Sequence, residues 1–135
     1  MAASDKTIAV LGGTGKEGKG LAYRWAKAGM SVMIGSRNVD RAKETASELN
    51  QLLSISSIIG KDNLAAAREA DIIVLSVPYA AHRDTLESIK PALVGKILVD
   101  VTVPLVPPKV TRVQMPPSGS AALEALEIVG EGVEV

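Results

Sequence analysis

The sequence predicts an α/β domain of the three-layer type, in which helices cover both faces of a doubly wound parallel sheet. Apolar runs of strand length alternate with stretches of helical periodicity along the 135 residues, and this alternation is typical of parallel sheets. The composition agrees, because no Phe, one Trp and two Tyr leave an aliphatic core, as in sheets that are buried on both faces. A chain of this length is expected to form one domain, residues 1–135.

Strands are predicted from short apolar runs, of which the fourth is the most apolar and ends at Pro78. The predicted strands are residues 7–11, 31–34, 54–59, 71–78, 96–101 and 133–135. Gly60 is predicted to end the third strand. The sixth strand has barely begun at Val135.

Helices are predicted where apolar residues recur every three or four positions. The predicted helices are residues 21–28, 39–53, 63–70, 83–90 and 120–129. Asp62 is placed to cap the third helix, and Pro91 ends the fourth. Five prolines within residues 104–117 exclude a regular element there.

A glycine motif joins the first strand to the first helix. Gly13, Gly15 and Gly18 have the G-x-G-x-x-G spacing of dinucleotide-binding Rossmann domains, in the strand–turn–helix context that the motif requires. Gly13 permits the tight turn, Gly15 lets the backbone approach a pyrophosphate, and Gly18 permits close packing of the helix on the sheet. The N–H groups and the dipole at the helix N-terminus favour the diphosphate. Glu17 after Lys16 excludes a P-loop.

The end of the second strand indicates which dinucleotide is bound. NAD-binding domains usually place an acidic residue there for the ribose 2′-hydroxyl, whereas this chain has Ser36 and Arg37. An arginine binds a 2′-phosphate through a charge-assisted fork. Arg41, at the start of the next helix, could reach the same phosphate. We therefore predict NADP(H) as the cofactor.

The composition argues against several other functions. Fifteen basic and fifteen acidic residues balance, so no basic field favours nucleic acid. The absence of cysteine and the single histidine, His82, argue against a metal site. No apolar run is long enough for a membrane span, and the N-terminal residues do not resemble a signal peptide. We expect a soluble, cytoplasmic protein without a membrane partner.

Ligands of doubly wound sheets bind beyond the carboxyl ends of the strands, at the point where the strand order reverses. The first and fourth strands are expected to flank that crevice, so that residues 76–79 would lie near a nicotinamide. His82 is interpreted as a helix-start residue rather than as an acid or base. Asp100, at the end of the next strand, is interpreted as a cap or a loop anchor.

Five segments carry a resemblance to one family of reductases. They are residues 8–15, 34–37, 74–79, 95–105 and 113–122. Their combination of Gly-Gly-Thr-Gly, Gly-Ser-Arg and a Pro-Pro-Ser-Gly-Ser-Ala-Ala tail resembles the NADPH-dependent reductases of the deazaflavin coenzyme F420. The similarity extends over nearly the whole chain, although each motif alone is shared with many Rossmann reductases.

The resemblance implies hydride transfer between NADP(H) and coenzyme F420, which are small-molecule partners. The residues that it places at the 2′-phosphate are Thr14, Ser36, Arg37 and, as a helper, Arg41. It places Lys16 and Glu17 in the loop over the phosphates, and it places Val77 and Tyr79 on the side of the nicotinamide. No general acid or base is named, because positioning of two stacked cofactors supplies most of the effect.

Members of that family continue with a helical C-terminal part that closes the deazaflavin pocket and forms a dimer. We therefore expect this chain to represent the NADP-binding part, and a homodimer is a further expectation. Two other functions stay open: an NADP-dependent reductase of imines or β-hydroxy acids, and a non-catalytic module that senses NADP(H). The Pro-rich segment argues against the sensing module, because a long ordered loop beside a crevice is usually functional.

Overall fold

In a computed structural model, which describes residues 6–105 and 112–135, five parallel strands lie between two layers of helices. The strands are β1 (Thr7–Leu11), β2 (Ser31–Ser36), β3 (Ile59–Asp62), β4 (Ile72–Leu75) and β5 (Ile97–Asp100). The helices are α1 (Lys16–Lys27), α2 (Val39–Leu53), α3 (Asn63–Glu69), α4 (His82–Ile89) and α5 (Ala121–Val129). Across the two described ranges, none of the helices combines the length and the apolar character that crossing a membrane requires.

The strand order β3-β2-β1-β4-β5 makes the sheet doubly wound. Successive residues of a strand point to opposite faces, so β1 contributes to two separate cores. Ile8 and Val10 pack on the side of α1 and α2. Leu11 and Ile73 pack on the opposite side, with α3, α4 and α5. The predicted fold class is therefore confirmed.

The third strand lies later in the chain than predicted. A strand over residues 54–59 is wrong, because β3 spans Ile59–Asp62. Just before it, Ser54 ends α2 in a left-handed conformation with a φ of 54°. The side-chain amide of Asn50 then binds both backbone groups of Ile58. These two features hold the chain away from the sheet until β3 begins.

The prediction that Gly60 ends this strand is also wrong, because Gly60 lies within β3. A Cβ at this position would overlap the backbone of Ala42 and Lys43 on α2. The glycine therefore lets α2 pack directly on the edge strand.

Asn38 Oδ1 caps α2 by accepting the N–H groups of Asp40 and Arg41, and side chains also cap two further helices. Asp62 Oδ1 accepts the N–H of Ala65 at 2.9 Å, which confirms the predicted cap of α3. Ser120 Oγ accepts the N–H of Leu123 at 3.0 Å and caps α5. Both caps satisfy an N–H group that has no acceptor within its own helix.

The C-terminal part of the chain returns to the sheet beside β5. Glu134 forms a parallel bridge with Ile97, and the N–H of Leu98 donates to Glu134 O at 2.7 Å. The beginning of a sixth strand is therefore seen as a single bridge. Of the Pro-rich segment, Pro107 and Pro108 lie outside the described residues.

We expect Asn50→Ala to lower the free energy of unfolding by about 2 kcal/mol, since it leaves buried backbone groups without partners. Asn50 Nδ2 donates to Ile58 O, and Asn50 Oδ1 accepts from the N–H of Ile58, both at 3.0 Å. Urea denaturation measures the loss. Gln51→Ala, at an exposed position of the same helix, is the control and should change stability by less than about 0.5 kcal/mol. Equal losses in the two variants would contradict the role of Asn50.

Candidate nucleotide-binding site

The crevice lies between the carboxyl ends of β1 and β4, where the strand order reverses. β2 and β3 lie on one side of β1, and β5 lies beyond β4. β1 and β4 pair in register up to Leu11 and Leu75, and the N–H of Ser76 donates to Leu11 O at 2.9 Å just beyond the strands. The prediction that the first and fourth strands flank this crevice is confirmed.

Gly12, which the glycine motif does not include, makes the turn at the end of β1. Its φ of +77° belongs to a region that residues with a Cβ rarely adopt. A Cβ would also overlap the carbonyl of Ser76. The N–H groups of Gly12 and Gly13 both donate to Gly35 O, at 3.0 and 3.3 Å. The loop is therefore held against both neighbours of β1, and the doubled glycine is the sequence signal that could have identified Gly12.

The three glycines of the motif have different surroundings. A Cβ at Gly13 would lie 2.8 Å from Val10 O. Gly15 is the N-cap of α1 and provides no side-chain cap, so the first N–H groups of the helix are open to a ligand. A Cβ at Gly18 would lie 2.7 Å from Gly12 O. The close contact of Gly18 is therefore with the glycine loop, directly beyond the end of β1.

Ser36 and Arg37 lie at the carboxyl end of β2. Ser36 is buried, and its Oγ accepts the N–H of Asn38 at 3.1 Å. Arg37 is exposed and faces a cavity of about 390 Å³, which we call the Arg37 cavity. The residues lining this cavity include Arg37, Asn63, Pro78, Ala80, Asp84 and Ser88. No ion pair in the described part of the chain involves Arg37, so its guanidinium is available to an anion.

Arg41 and Thr14 line a different cavity, between α1 and α2. Lys19, Glu44 and Glu48 also line it, and Lys19 and Glu48 form an ion pair. The structure thus brings Thr14 and Arg41 together but does not bring Arg41 into the Arg37 cavity. The two carboxylates beside Arg41 offset part of its positive charge.

A further cavity, of about 470 Å³, lies on the β5 side of the glycine loop. This Tyr79 cavity is lined by residues that include Lys16, Glu17, Val77, Tyr79, Thr102 and Val103. Its volume falls within the range of about 300–1,000 Å³ that is typical of small-molecule sites. Pro78 and Ala80 line both this cavity and the Arg37 cavity. A ligand with two ring systems could therefore place one ring in each cavity.

Tyr79 forms part of the wall of its cavity, and a hydrogen bond to α5 holds its hydroxyl in place. Its hydroxyl donates to Glu124 Oε1 at 2.9 Å. Burial, together with the hydrogen bond to Glu124 and the charge of that carboxylate, raises the pKa of Tyr79. Glu124 was not predicted, because it lies 45 residues further along the chain, on α5, and belongs to no motif.

The predicted places of two further residues in the fold are confirmed. His82 begins α4 and is buried. Asp100 anchors the loop after β5, because its Oδ1 accepts the N–H of Thr102 at 3.0 Å. Thr102 lies in the wall of the Tyr79 cavity and was not predicted. Within residues 6–105 and 112–135, no group of three or more acidic or histidine side chains could hold a metal ion.

Comparison with known proteins shows which family this sheet and loop belong to. The family model of NADP oxidoreductases that are dependent on coenzyme F420 matches residues 7–104. The chain belongs to this family. The match includes the whole glycine loop, the end of β2 and the first residues after β5, and it confirms the resemblance that the sequence motifs indicate.

Two relatives of this chain carry the name F420-dependent NADP reductase. The F420-dependent NADP reductase of Methanocaldococcus jannaschii is 43% identical over 122 residues, which are 85% of this chain and 54% of the relative. The protein of the same name from Methanothermobacter marburgensis is 45% identical over 100 residues, which are 73% of this chain and 45% of the relative. The chain thus spans about half the length of these relatives.

Solved structures agree with the assignment to the F420-dependent family. A protein of Arthrobacter sp. FB24, provisionally assigned as an F420-dependent NADP reductase, superposes with a TM-score of 0.74 at 28% identity. This superposition covers 93% of the present chain and 60% of the Arthrobacter chain. The pyrroline carboxylate reductase of Plasmodium falciparum, solved with NADP bound, gives a TM-score of 0.62 at 20% identity, covering 95% of this chain and 39% of its own. The latter similarity shows the Rossmann fold alone.

A matched pair of substitutions in α1 tests the close contact of Gly18. We expect Gly18→Ala to lower the free energy of unfolding by more than about 1 kcal/mol, because the new Cβ displaces the backbone of Gly12 and Gly13. Gly20→Ala meets no atom within 4 Å and should stabilise the helix by about 0.5–1 kcal/mol. Thermal or urea denaturation measures both. Stabilisation by Gly18→Ala would show that the loop is not packed on α1.

Proposed function

We propose that this chain binds NADP(H) in the crevice and transfers hydride between NADP(H) and coenzyme F420. Family membership is the observation that carries the proposal, because the family model matches residues 7–104, where the crevice lies. Identities of 43% and 45% to proteins named F420-dependent NADP reductase support it. The chain spans about half the length of those proteins, so the activity has to be tested on this chain itself.

The glycine loop and the start of α1 fit a diphosphate. No Cβ stands between the loop and a ligand at Gly15, and the N-cap carries no competing side-chain oxygen. The first N–H groups of the helix and the positive end of its dipole favour a negatively charged group there. Lys16, exposed at the first helical position, adds a positive charge that favours the same group.

We place the adenosine half of NADP(H) towards the end of β2 and the nicotinamide half in the Tyr79 cavity. The Ser36-Arg37 pair supports this orientation, because an unpaired guanidinium binds a 2′-phosphate and a carboxylate in its place would repel it. Arg37 is exposed at the mouth of its cavity. Thr14 and Arg41 line the neighbouring cavity, and a role of Arg41 at this phosphate stays a prediction.

The chemistry of the reaction belongs to the two cofactors, of which one supplies a hydride and the other accepts it. The residues of this chain bind and orient the rings and exclude water from them. Val77 and Tyr79 lie in one wall of the cavity, and Thr102 and Val103 also line it. A tyrosine hydroxyl keeps its proton at neutral pH, and in Tyr79 it donates that proton in a hydrogen bond to Glu124; burial and Glu124 raise its pKa further. The residue therefore acts as a wall rather than as a base.

Other expectations from the sequence stay predictions. They are the homodimer and the cytoplasmic location. Two alternative functions differ from the proposed one in the fate of the hydride. A reductase of imines or β-hydroxy acids transfers it to another acceptor, and an NADP(H)-sensing module does not transfer it. An assay with a defined acceptor therefore separates the three functions.

We expect Arg37→Ala to weaken the binding of NADPH by about 10- to 100-fold and that of NADH by less than about twofold. The reason is that a charge-assisted bond to the 2′-phosphate contributes about 1.5–3 kcal/mol, and NADH lacks this phosphate. Calorimetric titration with both nucleotides measures the change. Arg68→Ala, which removes an exposed arginine from α3, is the control and should alter neither affinity. Equal losses for NADPH and NADH would contradict the proposed role of Arg37.

Hydride transfer is tested by mixing the purified chain with NADPH and oxidised coenzyme F420 and following both cofactors by absorbance. The proposal predicts oxidation of NADPH with stoichiometric reduction of the deazaflavin. Parallel reactions with cyclic imines and β-keto acids test the other reductase function. NADPH binding that is unaffected by coenzyme F420, with no turnover on any acceptor, would contradict hydride transfer by this chain and leave it as a nucleotide-binding part.

A further inference from the structure

A buried histidine lies directly behind the wall of the Tyr79 cavity. The side chain of His82 is 1% exposed, and that of Asp100, whose Oδ2 lies 2.6 Å from His82 Nε2, is 0% exposed. On the other side of the ring, His82 Nδ1 lies 3.4 Å from Glu124 Oε1. A carboxylate that is wholly removed from water is costly unless a donor pairs with it. His82 is therefore the side-chain partner on which Asp100 depends.

Each contact of the imidazole leads to a residue of the cavity wall. The ring of Tyr79 stacks on that of His82, with centroids 5.7 Å apart and an interplanar angle of 28°. Glu124, beside His82 Nδ1, accepts the hydroxyl proton of Tyr79. Asp100, beside Nε2, accepts the backbone N–H of Thr102. His82 thus connects α4, β5 and α5 at one point behind Tyr79 and Thr102.

We propose that His82 is a positioning residue, which holds Tyr79 and Thr102 in place against the nicotinamide end of a bound NADP(H). The identity of this ligand rests on the proposed function. The imidazole supports the back of the Tyr79 ring and supplies an N–H to Asp100, and Asp100 in turn orients the loop after β5. Without the imidazole, the buried carboxylate of Asp100 has no side-chain N–H donor at Oδ2. Tyr79 then loses the ring that stacks behind it, and the contact of Asp100 with Thr102 is no longer held in place.

Binding at the adenosine end of the crevice can be compared with binding at the nicotinamide end to test this proposal. Asp84, Thr85 and Ser88 of α4 line the Arg37 cavity, whereas the imidazole of His82 faces β5 and α5. A substitution that merely loosens α4 would therefore disturb both ends of the crevice. Loss of a positioning contact would disturb the nicotinamide end alone.

The test compares two ligands on the His82→Gln variant, which keeps an N–H donor but removes the aromatic ring and its capacity for positive charge. The ligands are NADPH and adenosine 2′,5′-bisphosphate, which has the 2′-phosphate and the adenosine but no nicotinamide. We expect the affinity for NADPH to fall about tenfold, as for the loss of one strong polar contact. The affinity for the bisphosphate should change by less than about twofold. Calorimetric titration at one pH measures both.

Ile89→Ala is the matched control, because it removes a fully buried side chain from the same helix, away from the crevice. It should lower stability and leave the ratio of the two affinities unchanged. If His82→Gln does not fold, Asp100→Asn carries the same test, since it removes the charge beside His82 but keeps an oxygen for Thr102. A smaller loss, again confined to NADPH, is expected for Asp100→Asn.

Two results would overturn the inference. One is an equal loss of affinity for NADPH and the bisphosphate, which would make His82 a structural residue only, and the other is an unchanged affinity for NADPH. Failure of the unmodified chain to bind even the bisphosphate is a different result. It would contradict the proposed nucleotide site itself, and the positioning role would fall with it.

Discussion

The close approach of Gly12 to Ser76 is the constraint on which the crevice depends. Because a Cβ at Gly12 would overlap the carbonyl of Ser76, the turn after β1 can lie directly against the segment that follows β4. On its other side, the same turn donates two N–H groups to Gly35 O at the end of β2. The loop is therefore fixed between the two strands that pair with β1. Its position determines where α1 begins, and hence where the open N–H groups of that helix lie.

Much of the fold could be predicted because its determinants are local. Alternating apolar runs and helical periodicity identified the parallel sheet and the helices α1 to α5, and Asp62 identified the start of α3. The third strand could not be predicted in this way, because its position depends on the clamp that Asn50 forms on Ile58. Gly60 has the appearance of a strand breaker in sequence, yet it serves the packing of α2 on β3.

In the candidate site too, the residues that could be predicted are those whose signals are local in sequence. The glycine motif and Ser36-Arg37 are contiguous in sequence, and Tyr79 follows from the position of β4 in a doubly wound sheet. Glu124 and Thr102 could not be predicted, because their contacts arise only when α5 and the loop after β5 come together behind Tyr79. Similarly, Arg41 follows Arg37 by only four positions, but the first turn of α2 directs the two side chains into different cavities.

We expect one dinucleotide to span the crevice across the glycine loop, with a ring on each side. A crystal structure of the chain with NADP⁺ bound would show this arrangement. We expect the diphosphate at the N-terminus of α1, the 2′-phosphate on Arg37 and the nicotinamide in the Tyr79 cavity. A nucleotide bound in the reverse orientation, or outside the crevice between β1 and β4, would contradict it.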